Sequence, residues 1–222
     1  MVDVTFFSAN LVKVPSGGWF PIVVALAIFT LMATWKQGRV LLGGIMRENS
    51  LPMDLFLRDI ARRKPPRVPG VAVFLTSDAS GAPPVLLHHL KHNQVLHERV
   101  ILLSIITKEI PAVPEQERLR TRALGEGFCQ VIAQYGFMET PDVPTVVKAL
   151  AQPPPIGLGL TVNLMQTTFY LGRETLIATG RSKMATWRKR LFIVMTRNAQ
   201  SAATFFGLPP NRVVELGAQI QL

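Results

Sequence analysis

The chain has 222 residues, with 24 Lys and Arg against 14 Asp and Glu, a formal charge of +10, and 48% apolar residues. Its one cysteine, Cys129, excludes an intrachain disulfide framework and suits a reducing compartment. A pI near 10.5 would admit nucleic acid, but there is no zinc-finger spacing, no RRM signature and only 8% aromatics, so nucleic acid is not an expected partner.

In chain order, residues 1–18 read as a short extracytoplasmic lead-in. From Trp19 to Trp35 no residue carries a charge. Such a run, wound as helix, is roughly 25 Å long, at the short end for crossing a bilayer core. Trp19 and Trp35 close its ends, as expected where amphipathic rings sit at headgroup level, and Pro21 falls in the first turn, where a missing N–H costs little. A signal peptide fits poorly, because no basic region precedes the run and no small-residue cleavage site follows it. Residues 19–36 are therefore predicted to be a transmembrane helix, with Trp19, Trp35, Lys36 and Arg39 at the membrane interfaces. Residues 36–70 hold eight cations (Lys36, Arg39, Arg47, Arg58, Arg62, Arg63, Lys64 and Arg67) against Glu48, Asp54 and Asp59. Basic flanks stay on the cytoplasmic side, so everything after the helix is expected in the cytosol.

Residues 37–67 read as a basic connector. Gly38 and Gly43-Gly44 bracket its start, and Ser50 is positioned to cap a helix over 51–61 that lies on the membrane or, more plainly, packs on the following domain. The prolines from Pro65 to Pro69 predict a stiff hinge, and a cytosolic domain is expected over 68–222. Val71–Thr76 and Arg99–Thr107 are continuous apolar runs suited to strands buried on both faces, and a helix over 85–97 joins them into a parallel βαβ unit. Glu117–Leu124 and Gly127–Met138 predict a hairpin through Gly125-Glu126-Gly127. Asp142 should cap a short helix over 143–151, Leu164–Ile177 is β-rich, one long helix is predicted from Met184 to Phe206, and Arg212–Leu222 is a last strand. The fold class expected is an α/β (α+β) domain, its mixed sheet containing the βαβ unit, behind one transmembrane helix.

Several groups could carry chemistry. His88 and His92 stand four apart, a spacing that can hold zinc, but no acidic or cysteine partner accompanies them and Lys91 repels a cation, so no metal is expected and the histidines read as an exposed helix side. The loop Thr76–Gly81 follows the first parallel strand, where ligands collect in open α/β sheets. Ser77, Asp78 and Lys108 are accordingly taken as a candidate anionic-ligand or nucleotide site, beside the plainer reading of a polar turn. Arg181, Lys183, Arg188, Lys189 and Arg190 are either a solvated helix start or a surface for anionic lipid or ligand. Arg173 and Glu174 suggest a salt-bridged corner, Cys129 a small core residue, and Thr30 and Thr34 hydroxyls that bond back to their own helix. No nucleophile–base set is present, so neither an enzyme nor a cofactor is expected.

Phe6-Phe7, Ala9-Asn10-Leu11, Gly17-Gly18-Trp19-Phe20-Pro21, Thr34-Trp35-Lys36, Arg67-Val68-Pro69-Gly70, Leu87–Glu98, Tyr135–Pro144 and Tyr170–Thr175 together resemble the bacterial Kup (KUP/HAK/KT) potassium transporters. The resemblance runs essentially end to end. It implies the last membrane helix and cytosolic C-terminal domain of a proton-coupled potassium importer in the bacterial inner membrane. Its partners would be the bilayer, potassium and protons for the intact transporter, the N-terminal transmembrane helices, and, left open, a second copy in a homodimer. The family's ion path is built from earlier helices, so no ion-binding residue carries over. A regulatory or assembly role without transport by this chain alone is expected. The alternative is a membrane-anchored nucleotide-sensing module.

Overall fold

The computed structural model describes residues 17–48, 50–78, 81–152, 157, 159, 162–179, 182 and 184–222. Residues 1–16 of the lead-in, Ser80, the prolines 153–155, Arg181 and Lys183 lie outside them. The chain divides into two compact units. The first comprises the described residues within Met1–Gly44, Leu176–Ala199 and Gln221–Leu222, and the second those within Ile45–Thr175 and Gln200–Ile220.

The first unit is built on α1, Trp19–Glu48, a single helix of 30 residues whose last four, from Ile45, fall in the second unit. The predicted connector glycines Gly38, Gly43 and Gly44 do not interrupt it. A glycine inside a helix costs only about 1 kcal/mol relative to alanine, and packing on one face recovers that. The apolar window of α1 has a mean hydropathy of 1.6 and is 6% buried, so it meets the length and composition of a membrane span. The other helix is α6, Thr186–Arg197. The predicted helix from Met184 to Phe206 is in fact two. Asn198 caps the end of α6, Ser201 accepts the Thr204 N–H, and a separate turn of helix, α7, runs Ala202–Phe205 before Gly207 takes φ +63°. Ser201 capping a new start outcompetes continuation, because the hydroxyl satisfies an N–H that an unbroken helix would bond internally.

The second unit is a six-stranded mixed sheet ordered β5-β6-β4-β2-β7-β8. The central strands are β2 (Arg67–Thr76) and β4 (Leu96–Lys108), parallel as predicted and joined through α3 (Pro84–Asn93). Parallel β6 (Phe128–Gly136) and antiparallel β5 (Leu119–Gly125), which follows the single helical turn α4 (Glu115–Arg118), extend one side. Parallel β7 (Thr167–Ile177) and then β8 (Val213–Gln221) extend the other. The predicted hairpin turns through Gly125, Glu126 and Gly127, all at positive φ, a conformation glycine adopts at no steric cost.

Alternation along the strands makes two core layers. Val73, Ile101 and Leu103 face α5 (Val143–Ala149), where Val143, Val146 and Val147 are buried. Ala72, Phe74, Val100 and Leu102 face α2 (Met53–Arg63) and α3 through Met53, Phe56, Ile60, Val85 and Leu86. This is why Val71–Phe74 and Val100–Leu103 are apolar without a break. Asp142 caps α5 through the Thr145 N–H, as predicted.

Other expectations shift. Ser50 does not cap α2, since its hydroxyl donates to the Arg47 carbonyl and Pro52 precedes the helix. The expected hinge is partly strand, because β2 already starts at Arg67. Short strands β1 (Leu51–Pro52) and β3 (Gly81–Ala82) pair antiparallel, where the start of the helix over 51–61 and a loop were expected. The helix over 85–97 stops at Asn93, Gln94 takes φ 57°, and His97 belongs to β4. Arg173 pairs not with Glu174 but with Glu215 on β8, at 3.2 Å. Side chains of adjacent strand residues point to opposite faces, so neighbours in sequence rarely meet.

Candidate functional site at the membrane helix

The buried residues of α1 are Thr34, Gly38 and Leu42, one per turn on a single face. Two of the three are small, which lets another backbone approach closely. The ring of Phe192 on α6, fully buried, lies against Gly38 so tightly that a Cβ there would collide with it. The same ring meets Trp35 at 5.6 Å between centroids and an interplanar angle of 57°. One turn earlier, Arg188 Nε donates to Thr34 Oγ1 at 3.1 Å. Lys189 is buried, and its Nζ donates to the Leu222 carbonyl at 2.8 Å, which holds the end of the chain in this unit. A buried cation requires such a partner, since stripping its water is otherwise prohibitive.

Three sequence readings change here. Lys189 and Arg188 are not a solvated helix start but structural donors. Thr30 bonds back to the Leu26 carbonyl as expected, at 2.7 Å, whereas Thr34 accepts from Arg188 instead. Gly38 is a packing surface rather than a connector. The small residues Thr34 and Gly38, four apart, were the readable signal for this face. Nothing in the sequence marks Lys189 as buried. Of the predicted interface residues, Trp19 is exposed at the start of α1, Trp35 is half-buried against Phe192, and Lys36 and Arg39 are exposed near the end of the apolar stretch.

Ser77, Asp78 and Lys108 belong to the second unit. Parallel pairing sets Thr76 opposite Ser104, and Lys108 pairs with Gly136. Lys108 is thus four residues past the end of β2, about 13 Å along the strand, and the pairing does not bring it to Ser77 and Asp78. The Asp78 carboxylate instead has Arg47 Nε at 3.7 Å, and its N–H and carbonyl both bond the Thr76 hydroxyl. The predicted histidine group divides. His88 and His92 are exposed, with rings 6.1 Å apart, while His89 is buried and His97 half-buried. Tyr170 stacks on Phe74 at 4.6 Å, and the His89 ring stands edge-on to Tyr170 at 4.7 Å. His89 Nε2 and His97 Nδ1 are buried without a hydrogen-bond partner among the described residues. Burial pushes both imidazoles below their ordinary range, and His97 adds to the effect on His89, with the Val95 backbone opposing. Among the described residues no three His, Cys, Asp or Glu side chains are placed to hold a metal. Cys129 is buried in the core, where desolvation pushes its thiol up to about 11.

Comparison with known proteins bears on the whole chain. Residues 69–222 match the family described as K+ potassium transporter C-terminal domain, and residues 1–40 match the K+ potassium transporter integral membrane domain. The chain is 62% identical over all 222 residues to a "Probable potassium transport system protein Kup" of Anaeromyxobacter sp. strain Fw109-5, covering 100% of this chain and 34% of that protein. It is 63% identical over 221 residues to the protein of that name in Anaeromyxobacter dehalogenans strain 2CP-C, covering 33% of it. Identity to the protein of that name in Myxococcus xanthus is 52% over 221 residues, again 100% of this chain and 33% of that protein. The chain thus spans about a third of the length of the curated relatives it matches. No solved structure matches.

Proposed function

This chain belongs to the K+ potassium transporter family, and on that premise we propose that it serves as the C-terminal part of a proton-coupled potassium uptake transporter. In this reading α1 is the last membrane span, and the sheet unit is a cytoplasmic regulatory and assembly domain at the bacterial inner membrane. The observation that carries the proposal is the continuity of α1. Its 30 residues amount to roughly 45 Å of unbroken helix, more than the hydrocarbon core needs. The apolar part reaches Trp35, and the remainder carries the Thr34–Gly38–Leu42 face on which α6 is seated. A helix continuous across that boundary transmits rotation or tilt, which a flexible linker would dissipate. The cationic flank, Lys36, Arg39 and Arg47 against Glu48, supports a cytoplasmic position for its far end.

Transport itself belongs, in this proposal, to the intact assembly. A single span offers no ring of polar groups to replace the hydration shell of potassium. Thr30 and Thr34, the hydroxyls of the apolar run, are both engaged in hydrogen bonds. The chain reconstituted alone should give no potassium flux above empty liposomes. Co-expressed with the preceding membrane segments of a relative in a potassium-auxotrophic strain, it should restore growth at low potassium. Saturable, proton-dependent uptake by the isolated chain would overturn the division of labour. Efficient labelling of Lys64→Cys from outside intact cells would overturn the orientation.

A further inference from the structure

We propose that the outer face of α6 is a lipid-contacting surface, with Trp187 seated in the headgroup layer beside the end of the membrane span and Arg190 against anionic lipid. The inference rests on the reading of α1 as a span that ends near Trp35. The inward face of α6 is occupied by Lys189 and Phe192. Trp187, Arg190, Val194 and Arg197 recur every three or four residues on the opposite side, and all are exposed, Trp187 at 57% and Val194 at 54%. An indole this exposed is uncommon on a water-facing helix, and its apolar body with one N–H suits the boundary between lipid and water.

The level of Trp187 follows from the packing. Arg188 reaches Thr34, and Phe192 reaches Trp35 and Gly38, so α6 runs in the same sense as α1. Trp187 therefore lies within about one helical turn, roughly 5 Å, of the level of Thr34 and Trp35. Facing away from α1 at that level, it looks sideways into the layer that surrounds the end of the span. Exposed Arg190 and Arg197 make this face of α6 cationic, which attracts anionic headgroups and repels the same face of a second copy, and exposed Lys36 and Arg39 on α1 add charge of the same sign near the end of the span. Val194, seven residues past Trp187, lies about 10 Å farther from the bilayer along the axis of α6 and serves as an internal control.

The 222-residue chain has three tryptophans, so Trp19→Phe with Trp35→Phe leaves Trp187 as the only indole. In vesicles containing phosphatidylglycerol with bromine on shallow acyl carbons, its emission should be blue-shifted and fall by about half, as for an interfacial ring. Adding Trp187→Phe and Val194→Trp should yield an indole that brominated lipid barely quenches and aqueous iodide quenches freely. Arg190→Cys carrying an environment-sensitive dye keeps all three tryptophans, and buried Cys129 will not compete for the label. That dye should be quenched by headgroup spin-labelled lipid, and Arg190→Gln in the single-indole chain should lower the lipid quenching of Trp187 in phosphatidylglycerol vesicles toward its value in phosphatidylcholine; no change with Arg190→Gln would overturn the role of Arg190. Quenching of Trp187 by iodide but not by brominated lipid would overturn the proposal. So would shielding from both, which would mean that protein covers the indole, or equal quenching at positions 187 and 194. Whether the chain alone transports does not enter these readouts, so they separate this inference from the functional reading on which it rests.

Discussion

The two units bury their interiors by different means. In the sheet, Phe74, Leu102, Val73 and Ile101 are large apolar side chains closed off by helices on each face, and removal of apolar surface from water dominates. On α1 and α6, a glycine, a threonine, an arginine and a buried lysine do comparable work around one ring, Phe192. A sheet core tolerates redistribution of volume, whereas a small-residue helix face and a few directed hydrogen bonds tolerate little. The helix pair is thus the more easily disrupted.

The largest effects should come from deleting the central ring of each unit. Phe74→Ala removes a fully buried ring stacked on Tyr170 and should cost about 3–5 kcal/mol of sheet stability. It should appear as a lowered midpoint of cooperative unfolding. Phe192→Ala deletes a ring just as buried, with a similar local cost of about 3–5 kcal/mol. Hydrogen exchange there should show amide protection lost over residues 186–197 while β2, β4 and β6 keep theirs. If Phe192→Ala unprotected the sheet equally, the two interiors would be one cooperative unit and the comparison would fail.

Next in size is Gly38→Ala. The added methyl would collide with the Phe192 ring, which is pinned between Trp35 and Gly38, so α6 must shift. Overpacking of this kind costs about 1–3 kcal/mol, partly offset by about 1 kcal/mol from alanine's helix propensity. Exchange over α6 should quicken, and Phe192→Leu in the same chain should partly restore its protection by making room. A Gly38→Ala chain with α6 protection unchanged would show that the approach at Gly38 matters less than the ring's burial.

Much of the sheet was legible because its signals are local. Val71–Thr76 and Arg99–Thr107 are apolar at every position, the glycines at 125 and 127 mark the hairpin, and Asp142 stands where a cap is needed. What escaped depends on partners distant in sequence. Gly38 looks like a connector until Phe192, more than 150 residues later, is laid on it. Lys189 sits among Arg188 and Arg190 and reads as solvated, yet the Leu222 carbonyl draws it inside. His97 seems to continue a helix because its four histidines cluster in sequence, while the αL turn at Gln94 sends it into β4. Strand length is not local either, and it sets where Lys108 stands relative to Ser77 and Asp78. β4 runs four residues beyond the end of β2, carrying Lys108 with it.

The smallest expected effect concerns pH, and it should separate the units by chemistry rather than packing. His89 and His97 are the ionisable groups whose imidazoles stand against Tyr170 in the sheet unit, and burial lowers both from the ordinary 6.5. The unfolded chain, with imidazoles near 6.5, therefore takes up protons before the folded chain does. Folding stability from these groups is fully present above pH 6.5 and declines as pH falls from 6.5 toward the lowered folded values, because protons then favour the unfolded state. Thermal unfolding of the sheet unit between pH 7.5 and 5.5 should thus show a falling midpoint, with a shift smaller than either ring deletion produces. His97→Leu removes one of the two charges and an unpartnered buried nitrogen, and it should flatten the slope while leaving the midpoint at pH 7.5 nearly unchanged. All four histidines of the chain lie in the sheet unit, so α6 protection should not follow pH across this range. A midpoint independent of pH in the unsubstituted chain, or an equal slope in His97→Leu, would mean that the buried imidazoles are paired to water and carry no linkage.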